Sequence, residues 1–166
     1  NHLHGTILSQ NKKYAESITF FSRAYESSQA TCELLNNYAI ALRNVRAYSE
    51  CERMLQEALI LDNKFPNTYL NLSNCYLSQS RYDDAVKVLT KSIKQGMNIL
   101  RCQTEIVAIH FTSLNEEFSD ITLSKLKKSL DSLSKSDDAS SISKSALIYH
   151  NIGDLDRALE LSLIHI

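Results

Sequence analysis

The chain has 166 residues, enough for one domain or a short repeat array, and its 43% hydrophobic content is enough to build a core. A net charge of −1 gives no broad basic field for a nucleic acid, and no apolar run reaches bilayer-spanning length. Three glycines and one proline imply few turns with special backbone angles, which favours helices over an all-β fold.

In chain order, the first elements fall in residues 1–31, where Gly5, Tyr14, Ser17, Phe21, Ala24 and Tyr25 stand at helical spacings. Residues 32–65 repeat the arrangement with Leu35, Tyr38, Ala39 and Leu42, then Tyr48, Cys51, Leu55, Ala58 and Leu59. Residues 66–98 repeat it again with Tyr69, Leu72, Ser73 and Tyr76, then Tyr82, Ala85, Leu89, Ser92 and Ile93. Tyr14, Tyr48 and Tyr82 are 34 residues apart, and each opens a Tyr-x-x-small signature ending in Ser17, Cys51 or Ala85. Apolar spacings of three and four make both halves of each copy helical, at about 13 and 14 residues with a polar turn between. A single such hairpin cannot bury both faces, so neighbouring copies must stack. The small residue four places before Phe21, Leu55 or Leu89 lets two helices approach closely, and each Tyr wedges under the preceding turn.

From residue 99 the register loosens. "LRCQTEIVAIHF" offers a fourth first helix with Ile106, Val107 and His110. No Tyr-x-x-Ala follows it; Leu123, Leu126, Leu130 and Leu133 form a helical stripe instead. "SKSDDASS" reads as a polar loop with Asp137 or Asp138 as a helix cap. Ala146, Tyr149, Gly153, Leu155 and Ala158 then begin another hairpin. The unit at 99–138 is therefore irregular, with about five extra residues in its turn or the loop after it, and the unit at 139–166 is truncated. The chain starts without Met and ends on the uncapped apolar stretch "ALELSLIHI", so it reads as a fragment of a longer protein.

The period and these positions resemble the tetratricopeptide repeat. The resemblance implies an all-α fold, a right-handed α-α superhelix (solenoid) of about five helix hairpins forming one array over residues 1–166. It also implies a protein- or peptide-binding scaffold whose first helices line a concave groove. The positions that would face that groove hold Asn36, Asn37, Arg43, Asn44, Asn67, Asn71, Asn74 and Arg101. An amide offers both donors and an acceptor, so it can pair with the backbone of any extended peptide. Asn37 and Asn71, one period apart, resemble the asparagine ladder of O-GlcNAc transferase, although Asn is also a consensus feature at that place and Leu3 and Glu105 interrupt the series. The Lys and Asn pair of the clamp that grips chaperone tails is missing.

No catalytic constellation is visible. GxGxxG, Walker, GxSxG and HExxH signatures are absent, and no cofactor is implied. His2 and His4 form HxH, but on a helix they point to different sides, and nothing nearby completes a metal site. His110 reads as a packing residue and His150 as a solvated one. Cys32, Cys51, Cys75 and Cys102 lack CxxC spacing and read as free, buried thiols of a reducing compartment, which points to the cytoplasm. The expected partner is a protein or extended peptide. A second expectation is that the chain is the N-terminal substrate-presenting region of a larger bacterial sulfotransferase or glycosyltransferase. A third is self-association through exposed terminal helices.

Overall fold

A computed structural model describes residues 1–27, 30–65, 67–116, 120–135, 139–151, 154 and 157. The helices are α1 (His2–Gln10), α2 (Tyr14–Ser27), α3 (Cys32–Asn44), α4 (Tyr48–Leu61), α5 (Thr68–Leu77), α6 (Tyr82–Lys94), α7 (Ile99–Glu116), α8 (Asp120–Ser134) and α9 (Ala139–Asn151). No strand occurs among the described residues. The chain folds as two compact units, Asn1–Lys91 and Ser92–Ile166.

In the first unit α1 packs on α2, α2 on α3, α3 on α4 and α4 on α5. The first helices also touch one another, α1 with α3 and α3 with α5. The small residues sit where close approach requires them: Ser17, Cys51 and Ala85 are all buried, as are Phe21, Leu55 and Leu89 one turn later. Each of these larger side chains contributes about 1.5–3 kcal/mol by leaving water. Phe21, Ala24, Leu34 and Ala41 form one core cluster, with Tyr14, Ile18, Tyr25 and Tyr38 packed against it. Gly5 faces the same cluster, and a Cβ there would stand 2.7 Å from ring carbons of Phe21. Thr31 caps α3, its hydroxyl accepting from the Leu34 N–H at 3.2 Å.

The turns correct the expectation drawn from the scarcity of glycine. Lys12, Arg46 and Ser80 each adopt a positive φ, of 60°, 65° and 56°. They lie one period apart, at the same place inside each hairpin. That left-handed residue lets the chain reverse: Lys13, Ala47 and Arg81 each donate an N–H back to Leu8, Leu42 and Tyr76. The special backbone angle is present without the residue that adopts it at least cost.

In the second unit α7 packs on α8 and α8 on α9. Val107, Leu126, Leu130, Ile142 and Tyr149 form the core, with Phe111, Ala146 and Ile148 against it. Leu126 and Leu130 of the predicted stripe are thus buried, and Tyr149 fills its predicted place. The extra length of this unit enters its first helix rather than its turn: α7 has 18 residues where α3 has 13. No Gly or Pro interrupts the run from Ile99 to Glu116, and Ile106, Val107 and Ile109 keep burying a face. His110 packs half-buried, Nδ1 at 2.9 Å from the Ser129 hydroxyl. Asp137, Asp138, Gly153, Leu155, Ala158 and His165 lie outside the described residues, as do the side chains of Leu123, Leu133 and His150. Among the described residues no helix is long and apolar enough to cross a membrane.

Candidate peptide-binding face

Three first helices, α1, α3 and α5, bring the asparagines of the first unit together. Asn36 corrects the expectation that it faces a ligand. It is only 5% exposed. Its Nδ2 donates to the Cys32 carbonyl at 2.8 Å and to Thr68 Oγ1 at 2.9 Å, and its Oδ1 accepts from Asn71 Nδ2 at 2.8 Å. A buried amide must satisfy itself internally, and this one does so across two helices.

Asn37 is half-buried, its Nδ2 3.3 Å from His2 Nε2 and 3.5 Å from Thr6 Oγ1. The interruption expected at Leu3 is bridged by the residues on either side of it. His2, Thr6 and Thr68 were missed as partners by the sequence reading. The signal that finds them is the period itself, since each lies within three residues of one repeat length from Asn36 or Asn37.

The other predicted residues fall into separate groups. Asn44 is exposed, and its Nδ2 donates to the Ile40 carbonyl at 2.8 Å. Asn67 is exposed at the start of α5 with a φ of 71° and makes no capping bond. Asn74 is half-buried, and its side-chain amide bonds to no described residue. Arg43 is half-buried and lines a shallow recess with Ala39, Ile40, Cys51, Leu55 and Asn71. Arg101 is exposed in the first turn of α7 and belongs to the second unit.

Two polar features lie beside the face. Arg81 lies 4.3 Å over the Tyr76 ring and pairs with Glu52 at 3.1 Å and Asp84 at 2.8 Å. The Tyr76 hydroxyl donates to Glu52 at 2.9 Å, and burial, with that carboxylate, pushes the phenol up to about 12. The hydrogen bond from Arg81 holds the Asp84 carboxyl below its ordinary value. Cys51 and Cys75 are both buried and free. The Cys75 thiol donates to the Tyr48 carbonyl, with Sγ 3.6 Å from the oxygen.

His2 and His4 diverge as HxH on a helix must: His2 tilts against Phe21, while His4 stacks on Phe20 at 5.6 Å. Among the described residues no cluster of three His, Cys, Asp or Glu side chains could hold a metal ion.

Residues 6–125, well over half of the chain, match the family described as coatomer epsilon subunit. The chain belongs to the coatomer epsilon subunit family. Solved structures show what fold this member takes. A crystal structure of MamA is similar at 12% identity and a TM-score of 0.68, covering 95% of this chain and 89% of that one. TTC0263, a thermophilic TPR protein in Thermus thermophilus, is similar at 19% identity and a TM-score of 0.61, covering 96% and 85%. YrrB, a TPR protein with an unusual peptide-binding site, is similar at 15% identity and a TM-score of 0.60, covering 96% and 80%. These likenesses show the all-α, helix-hairpin solenoid fold of tetratricopeptide type. Among the curated proteins none matches this chain.

Proposed function

We propose that this member of the coatomer epsilon subunit family is a non-catalytic subunit of a coat assembly, working in the cytoplasm as a protein-binding scaffold. In this reading its hairpins belong to one array, and the α1–α3–α5 face holds an extended segment of another subunit. The observation that carries the reading is the family match over residues 6–125. The arrangement of that face supports it: the Asn74 amide bonds to no described residue, and Asn37 and Arg43 are both half-buried on α3. The comparison with O-GlcNAc transferase has little left to rest on, because the Asn71 donor bonds to Asn36. A sulfotransferase or glycosyltransferase fusion finds no support in the family or in the solved structures.

The test is affinity capture with the tagged, folded chain from its own cell type, read by mass spectrometry, with Asn37→Ala/Asn74→Ala as the control. Coatomer subunits recovered with the natural chain and depleted with the variant are expected. Recovery of none of them would overturn the assignment.

One observation favours self-association as a second reading. Leu3 and Ile7, one turn apart on α1, are 72% and 47% exposed. Light scattering across a concentration series tests it, and a constant monomer mass together with an unchanged mass for Leu3→Glu removes it.

A further inference from the structure

We propose that Asn36 is a positioning residue of the peptide-binding face. It holds the Asn71 amide so that the carbonyl oxygen is left free, and the face then takes backbone N–H donors of an extended partner segment. The proposal rests on the peptide-binding reading above.

The chain of bonds starts at a group that can only accept. Asn36 lies 2.8 Å from the Cys32 carbonyl, so its Nδ2 must turn that way. Thr68 Oγ1, at 2.9 Å, accepts from the same nitrogen. The Asn36 oxygen is thereby aimed at α5, where only a donor can meet it. Asn71 meets it with Nδ2 at 2.8 Å. Among the described residues nothing donates to Asn71 Oδ1. A backbone carbonyl of α3 thus decides the orientation of Asn71 through one buried side chain.

Asn37, one period before Asn71, follows the same rule. Thr6 Oγ1 donates its one proton to the His2 carbonyl at 3.1 Å, so toward Asn37 it can only accept, and Asn37 Nδ2 lies 3.5 Å from it. The Asn37 oxygen likewise has no donor among the described residues. The group left free on both asparagines is therefore an acceptor. Asn74, one turn after Asn71 on the same side of α5, adds an amide that bonds to no described residue, and all three side chains are half-buried. Arg43 lies beside Asn71, and its charge disfavours a Lys or Arg side chain there, so the donor selected is the neutral backbone N–H.

The experiment is an amide-to-ester scan of linear peptides selected on the intact chain from a displayed random library. An ester removes one N–H donor and leaves the side chains in place. One position is expected at which the ester weakens binding roughly three- to tenfold. That cost should vanish in Asn71→Ala. It should also shrink in Asn36→Ala, assayed at a temperature where circular dichroism shows it folded, because the Asn71 amide is then free to turn. An Asn36 with a structural role alone would lower Tm and leave the ester cost whole, and that result would overturn the positioning role. An ester cost unchanged in Asn71→Ala would overturn the proposal even if Asn36→Ala fails to fold. So would peptides that lose affinity only when a Lys or Arg side chain is removed. Each of these three results leaves the peptide-binding reading standing, whereas selection of no peptide would sink both.

Discussion

Gly5 is held against the ring of Phe21: a Cβ on Gly5 would meet Cδ1 and Cε1 at 2.7 Å. Both sites are buried, and Phe21 anchors a cluster with Ala24, Leu34 and Ala41, so the ring cannot move without disturbing its neighbours. Gly5→Ala should therefore destabilise the protein. The gain in helix propensity is about 1 kcal/mol, while overpacking costs about 1–3 kcal/mol. Urea titration checks the sign. Phe21→Leu in the Gly5→Ala background should relieve part of the loss, giving a coupling energy in a double-mutant cycle.

The three left-handed turn residues predict the opposite response. Arg46→Gly and Ser80→Gly remove a strain of about 1–2 kcal/mol, offset by about 0.4–1 kcal/mol of added freedom in the unfolded chain. Each should raise stability modestly, by up to ~1.6 kcal/mol on these figures. Ala substituted at either place should give no such gain. A fall in Tm for both glycine variants would show that these side chains make contacts outweighing the backbone strain.

Asn36→Ala should cost about 1–3 kcal/mol, because Asn71 and Thr68 lose their shared partner inside the structure. Asn37→Ala, at a half-buried site, should cost less than ~1 kcal/mol. Equal losses in denaturant melts would remove the distinction between a structural amide and a face amide.

Ala85 is fully buried on α6. Ala85→Leu should cost about 1–3 kcal/mol by overpacking. A neutral melt would place the small-residue position somewhere else.

Tyr76 supplies a pH signature. Its phenol is raised from 10.0 to about 12, so the neutral form is favoured by folding. The corresponding stability is fully present below pH 10.0 and is lost as pH rises through about 12. Tyrosinate absorbance should show a late-titrating component that Tyr76→Phe reduces. Glu52→Gln should lower that component only part of the way to 10.0, since burial is the larger cause and remains. Return to the ordinary value in Glu52→Gln would make the carboxylate the dominant cause.

The hairpin units were legible because their signals are local and recur. Tyr14, Tyr48 and Tyr82 mark a period, and Ser17, Cys51 and Ala85 mark close approach; both follow from helix geometry acting on residue size. The turns were not legible, because Lys12, Arg46 and Ser80 carry no mark of a left-handed backbone and sequence reading looks for glycine there. The length of α7 was misjudged for a related reason: a missing breaker extends a helix silently. At the candidate site, the placement of Asn36 on a first helix was readable and its burial was not. Adjacent Asn36 and Asn37 differ by one helical step, and only the packed neighbour Thr68 decides which of them turns inward. Family membership rests on a match over residues 6–125.

The bonds of Asn36 bear on how layers find their places. Hairpins built to one pattern are nearly interchangeable, so an array risks docking in the wrong order while it forms. Apolar faces do little to prevent this, since one Leu fits against many others. Asn36 is fully satisfied only when α5 arrives with Thr68 and Asn71 in register; any other neighbour would leave its buried carbonyl oxygen without the donor that Asn71 supplies, at about 1–3 kcal/mol. The side chain thus acts as a key between two otherwise similar layers, rejecting mispaired arrangements more strongly than it rewards the correct one.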